Sequence, residues 1–136
     1  RVYKIAYAIS NDGINWDKQE GKQIISDVID ANECQALPTV VELDGVYHML
    51  FCFRHSSDFR TNPNRGYKLG YARSTDLKKW ERNDAILNFN LPDKGWDSEM
   101  MCYPHLFKVN NSIYLLYNGN NFGRFGFGAA KLLSIS

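Results

Sequence analysis

The 136-residue chain is close to electroneutral, with 16 Lys plus Arg against 15 Asp plus Glu and a net charge of +1, a balance that argues against nucleic acid or an anionic membrane surface as partner. Its length suits one domain able to bury a substantial core. Aromatic residues make up 14% of the chain, which suits strands and also suits stacking on a sugar ring.

Taken from the N-terminus, the chain repeats itself. Residues 3–18, from Tyr3 through Ser10-Asn11-Asp12 to Trp16, return without a gap as residues 67–82, from Tyr67 through Ser74-Thr75-Asp76 to Trp80. The shift is 64 residues (67 minus 3; 80 minus 16). Each copy reads as a short alternating strand, a Ser-x-Asp turn, and a second strand opened by Trp. Trp16 and Trp80, in register, are expected to pack within their blades. A third copy begins at Phe125.

A second block lies between these copies. Residues 33–38, starting Glu33-Cys34 and ending at Pro38, match residues 99–104, starting Glu99 and ending at Pro104, at a shift of 66 (99 minus 33; 104 minus 38). Each is followed by an apolar run, a polar turn and a second apolar run. Asp44-Gly45 between two such runs is a strong hairpin signal, and Asn110-Asn111 takes its place in the second copy. Residues 55–66 form a loop longer than a hairpin needs, and residues 83–97 form another. No segment carries helical periodicity.

A four-stranded unit of about 65 residues reads as one β-propeller blade with a long loop. The fold class is therefore all-β, and residues 1–136 form one partial propeller domain with blade portions 1–30, 31–95 and 96–136. These supply two, four and three strands, or about two and a half blades. Blades bury their faces on neighbours, so the chain is expected either to pair as a homodimer or to belong to a larger propeller chain. The cysteines, Cys34, Cys52 and Cys102, show no disulfide or zinc spacing and favour a reducing compartment such as the cytoplasm. Cys34 beside Glu33 reads as an inert buried thiol. No run approaches 18 apolar residues, no charged-then-apolar leader opens the chain, and no motif calls for a cofactor.

The two Ser-x-Asp-to-Trp elements resemble the strand-turn-strand of the five-bladed propeller glycosidases, glycoside hydrolase family 43 and the related families 32 and 130. The runs that begin at Pro38 and Pro104 are similar to the first two strands of a blade there. This resemblance implies an axial funnel with carboxylates at the inner ends of successive blades: a base or nucleophile, a general acid, and an acidic residue that tunes the acid. Glu33-Cys34 looks closest to the family's acid, and Glu99 takes the same place one blade on. Pro follows each Glu by five residues rather than two, and the family's first-blade acid has no counterpart.

Glycoside hydrolysis needs two carboxyl groups flanking the scissile bond, and Glu33, Glu99 and Asp97 are the candidates. Loop acids that bond backbone amides give the bland alternative. Arg54, at the end of an apolar strand, and Arg60, in the long loop, are candidate clamps for sugar hydroxyls or a carboxylate. Trp96 and Tyr103 could stack on a sugar face, while Asn118 and Asn120 could bond hydroxyls or simply form a turn. His105, at the start of an inner strand, is a substrate-binding candidate. Within an apolar strand, His48 reads as a packed core imidazole. One histidine among acids is thin ground for a hard cation, and no metal site is expected. The function these residues suggest is a family 43-type propeller that acts on or binds carbohydrate. The alternative is a non-catalytic sugar-binding or assembly module.

Overall fold

The computed structural model describes residues 1–135. It contains two antiparallel sheets, one of four strands and one of three. Strands β1 (Cys34–Leu43), β2 (Val46–Arg54), β3 (Lys68–Ser74) and β4 (Glu81–Arg82) pair in chain order, as do β5 (Cys102–Val109), β6 (Ser112–Asn118) and β7 (Phe127–Lys131). The second and third blade portions thus carry the four and three strands read from the repeats. The first does not carry its two. Residues 1–30 hold a single Ile9–Asp17 bridge. Among the described residues the helical content is slight: three 3-10 turns and one distorted turn at Asn120–Gly123.

The sequence repeats are repeats of hydrogen bonding. In the first turn Asp12 Oδ1 accepts the amides of Ile14 and Asn15, both at 2.8 Å, and Trp16 Nε1 donates to Gly13 O. In the second, Asp76 Oδ1 accepts from Lys78 and Lys79, and Trp80 Nε1 donates to Leu77 O. Those amides hold both carboxyls below the usual carboxylate range, Asp12 the further of the two. The tryptophans part company in packing. Trp80 rests on the cluster around Phe51, but Trp16 is 59% exposed, so the expected blade packing holds only for Trp80.

The prolines explain their own spacing. In β1 the pairing slips between Ala36 and Thr39, and in β5 between Cys102 and His105. Each slip sets two residues against one, a β-bulge, with Leu37 (φ 51°) and Tyr103 (φ 57°) left-handed. Pro38 and Pro104 follow at once, where a missing amide costs no ladder bond. The Asp44-Gly45 turn has φ of 51° and 80°, the doubly left-handed geometry that two-residue hairpins prefer.

Two apolar cores lie on opposite faces of the four-stranded sheet. Met49, Phe51, Phe53 and Ala72 face Ile5 and Ile25 of the N-terminal segment. Leu50, Cys52, Tyr67 and Leu69 face Met101, Leu106, Ile113, Leu115 and Tyr117 of the second sheet. Phe51 is fully buried, and truncating such a side chain to Ala typically costs about 3–5 kcal/mol. Thr39 Oγ1 accepts the Leu106 amide at 2.9 Å and so ties inner strand to inner strand across the sheets.

Candidate functional site

Strand polarity brings most of the candidate residues to one rim. β1 and β5 start there, β2 and β6 end there, and β3 and β7 start there, as the pairs Cys34–Arg54, Phe53–Lys68, Cys102–Asn118 and Asn118–Phe127 show. The long loop folds back over this rim. Asn62 caps its 3-10 turn at Pro63–Arg65, and Arg65 Nε donates to Ser57 O at 3.0 Å. That fold sets Phe59 against Arg54.

Arg54 is 6% exposed. Its guanidinium carbon sits 3.5 Å from the Phe59 ring centroid, 5.1 Å from that of Tyr3 and 5.3 Å from that of Tyr67. Nη1 donates to His55 O and Nη2 to Tyr3 Oη, each at 2.7 Å. Nε is buried without a partner. Tyr3 and Tyr67, equivalent residues of the repeat, share a hydroxyl hydrogen bond of 2.5 Å. Phe122 completes the nest, edge-on to Phe59 and Tyr67 and stacked on Tyr103 at 6.4 Å. Arg60, exposed, lies 5.1 Å from both the Phe59 and Phe122 centroids. Burial, followed by the bond to Tyr3, pushes the Tyr67 hydroxyl far up, so it stays a neutral donor.

Beside the nest stands the acidic segment. Asn120, 8% exposed, accepts the amides of Glu99 (2.8 Å) and Met100 (3.1 Å) on Oδ1 and donates from Nδ2 to Gly95 O (3.1 Å). Its own amide donates to Trp96 O at 2.7 Å. A single buried amide side chain therefore staples residues 95–100. Trp96 lies stacked on Tyr117 at 5.5 Å, in a slot floored by glycine: a Cβ at Gly119 would come within 2.4 Å of the indole, and one at Gly128 within 2.7 Å. Asp97, 8% exposed, accepts the Tyr117 hydroxyl at 2.9 Å. Burial and this bond push Tyr117 up to about 12. The Glu99 side chain is exposed, and its carbonyl would lie 3.2 Å from a Cβ at Gly66, the residue before Tyr67.

The structure separates the two equivalent glutamates. Glu33 is 0% exposed. Oε2 accepts the amides of Val28 and Ile29 (2.9 and 3.0 Å), while Oε1 accepts Gln35 Nε2 (3.0 Å) and Arg82 Nη1 (2.6 Å). Arg82 in turn grips Asp84 at 2.8 Å and lies 4.4 Å over Phe53. With both oxygens engaged, Glu33 cross-links the N-terminal segment to β4. Asn118 donates to Phe122 O at 3.4 Å and shapes the tight turn. His105 is exposed and heads a stack with Phe107 and Tyr114, outside the aromatic nest. Its repeat equivalent is Thr39 (105 minus 66), which bonds the next blade. His48 is buried, with Nδ1 2.7 Å from the Tyr71 hydroxyl.

Sequence reasoning missed Tyr3, Phe59, Tyr67 and Phe122. The pairing of Tyr3 with Tyr67 at the repeat shift was the available signal. Phe59 and Phe122 sit in irregular turns and carry none. All three cysteines are free and buried, and burial pushes Cys52 up to about 11 and Cys102 to about 12, so neither is a thiolate at neutral pH. A separate groove of about 580 Å³ opens between the sheets, lined by Val41, His48, Leu50, Leu106, Ile113 and Leu115 among others. No helix is long and apolar enough to cross a membrane, among the described residues.

Two stacked antiparallel sheets with matching bulges, repeated Ser-x-Asp turns and one rim of converging strand ends are propeller blades, and the fold is that of the β-propeller glycoside hydrolases. A solved structure described as a glycoside hydrolase superposes with a TM-score of 0.67 at 21% identity, covering 98% of this chain and 37% of that one. A family 117 glycoside hydrolase of Zobellia galactanivorans gives 0.61 at 15% identity, covering 98% and 39%. Two uncharacterized proteins of Mycobacterium tuberculosis, from strains CDC 1551 / Oshkosh and H37Rv, are each 34% identical over 128 residues. That is 94% of this chain, which spans 40% of the length of those relatives. The 1,2-beta-oligomannan phosphorylase of Thermoanaerobacter sp. (strain X514) is 29% identical over 89 residues, 64% of this chain and 28% of that protein. No protein-family model matches the chain.

Proposed function

We propose that the chain is part of a carbohydrate-active propeller whose sugar site is the rim formed by the aromatic nest and the stapled acidic segment. The observation that supports this most is the fixing of residues 95–100 by Asn120, which holds an exposed carboxylate (Glu99) and a buried one (Asp97) beside stacking surfaces. Unlike surroundings are what set two carboxyl groups to different tasks. Glu99 is the proton donor to the leaving oxygen, and Asp97, held by Tyr117, orients the sugar or tunes its neighbour. Tyr103, 38% exposed, and Trp96, 37% exposed, offer ring faces, and Arg60 lies over Phe122, which stacks on Tyr103.

The named relative makes β-1,2-linked mannosides the first substrates to try, with and without inorganic phosphate. Glu99→Gln should abolish turnover while leaving the fold intact, because the side chain is exposed; full retention of turnover overturns the assignment. A non-catalytic sugar-binding module is the second reading. What favours it is Glu33, the residue closest in pattern to a family acid, spent on an ion pair with Arg82. Sugar binding with no turnover, unaffected by Glu99→Gln, would select that reading.

A further inference from the structure

Arg54 is a buried cation with no counter-ion among the described residues. Neither it nor Arg60 forms an ion pair with a carboxylate among the described residues, although Arg82, Arg65 and Arg73 all do. The partners of Arg54 are a carbonyl, a phenol and ring faces, and its Nε has none. Buried charges are normally paired, since removing an ion from water costs more than neutral hydrogen bonds return. Arg60 adds a second positive charge 5.1 Å from the centroid of the same Phe59 ring, and among the described residues no carboxylate pairs with either group. Glu33 pairs with Arg82 and Asp97 accepts from Tyr117, while Glu99, the exposed acid of the rim, forms no ion pair with either arginine.

We infer that this nest receives the carboxylate of an acidic sugar, a uronate or a related sugar acid. The inference rests on the reading of the rim as a carbohydrate site and names the substrate class for it. The pyranose ring lies against the stacked Tyr103 and Phe122, and its carboxylate meets the exposed Arg60, with the buried Arg54 guanidinium adding its positive charge from within the nest. A planar carboxylate matches the planar guanidinium fork. Stacking on aromatic faces keeps both arginines in place without using up their N–H donors. Free phosphate shares the anionic chemistry but brings no ring to occupy the Tyr103–Phe122 face.

The test is titration of the full chain, followed by NMR and calorimetry, with glucuronate, galacturonate, glucose, galactose and inorganic phosphate. At low ionic strength the uronates should bind at least about tenfold more tightly than the neutral hexoses, the margin of one charge-assisted hydrogen bond, and added salt should shrink that margin. Arg60→Gln, at an exposed side chain the fold does not need, should remove it. Equal binding of uronates and neutral hexoses, or an unchanged preference in Arg60→Gln, overturns the acidic-sugar assignment and leaves the carbohydrate rim standing. Tighter binding of phosphate than of the uronates at these residues also overturns it. No binding of any sugar overturns both.

Discussion

Arg82 Nη1 lies 2.6 Å from Glu33 Oε1, with the two side chains 2% and 0% exposed. This pair joins the last strand of the four-stranded sheet to the segment that precedes it, and Glu33 also satisfies the amides of Val28 and Ile29. Removing one partner of a buried pair leaves a desolvated charge.

Glu33→Gln should therefore lower unfolding stability by about 3–5 kcal/mol, read from chemical denaturation. Stability within about 0.5 kcal/mol of the parent, the range of an ordinary surface substitution, would return Glu33 to the catalytic candidates.

His48 carries the clearest pH dependence. Burial, followed by the charge of Arg73, holds its pKa below the ordinary 6.5. Its folded state therefore resists protonation, while the unfolded chain takes up the proton near 6.5. Stability from this group is complete above that value and falls as pH drops through 6.5 toward the lowered folded pKa. Thermal melts from pH 7.5 down to pH 5 should show the fall, and His48→Gln should flatten it; identical slopes in the two proteins would contradict the assignment.

Several apolar side chains present exposed faces: Ile14 is 81% exposed, Trp16 59% and Phe127 69%. The equivalent of Trp16 in the next repeat, Trp80, is packed. These faces are the ones a further blade or a second copy would cover, so light scattering during size exclusion should give a mass above one chain. Trp16→Lys or Phe127→Asp should lower it. A monodisperse monomer that unfolds cooperatively would show that the faces need no cover.

How much of this was legible in the sequence follows from what kind of pattern each feature leaves. The blades were readable because their devices are local: Ser-x-Asp turns, Asp44-Gly45 and the repeated prolines each fix a few backbone dihedrals and recur at 64 or 66 residues. The weakness of the first blade was not readable, since residues 3–18 carry the same strand-turn-Trp pattern as residues 67–82. The rim was half visible. Arg54 was marked by its place at a strand end and Tyr103 and Asn120 by the chemistry of their side chains, but Tyr3, which meets Arg54, and Glu99, which Asn120 holds, lie 51 and 21 residues away. The motif pointed to Glu33 ahead of Glu99; Arg82, 49 residues from Glu33, makes it a cross-link, while Glu99 is exposed. His105, a substrate-binding candidate by its place at the start of an inner strand, aligns by repetition with Thr39, a residue of the blade junction.

The most direct test of the carbohydrate rim is where a bound sugar perturbs the backbone. An NMR titration of the chain with β-1,2-mannobiose and with glucuronate should shift the amides of Glu99, Met100, Tyr103, Asn118 and Phe122 together, saturably, and Glu99→Gln should leave the shifted set in place while ending any turnover. Shifts confined to the groove around His48, Leu106 and Leu115, or none at saturating sugar, would contradict the account.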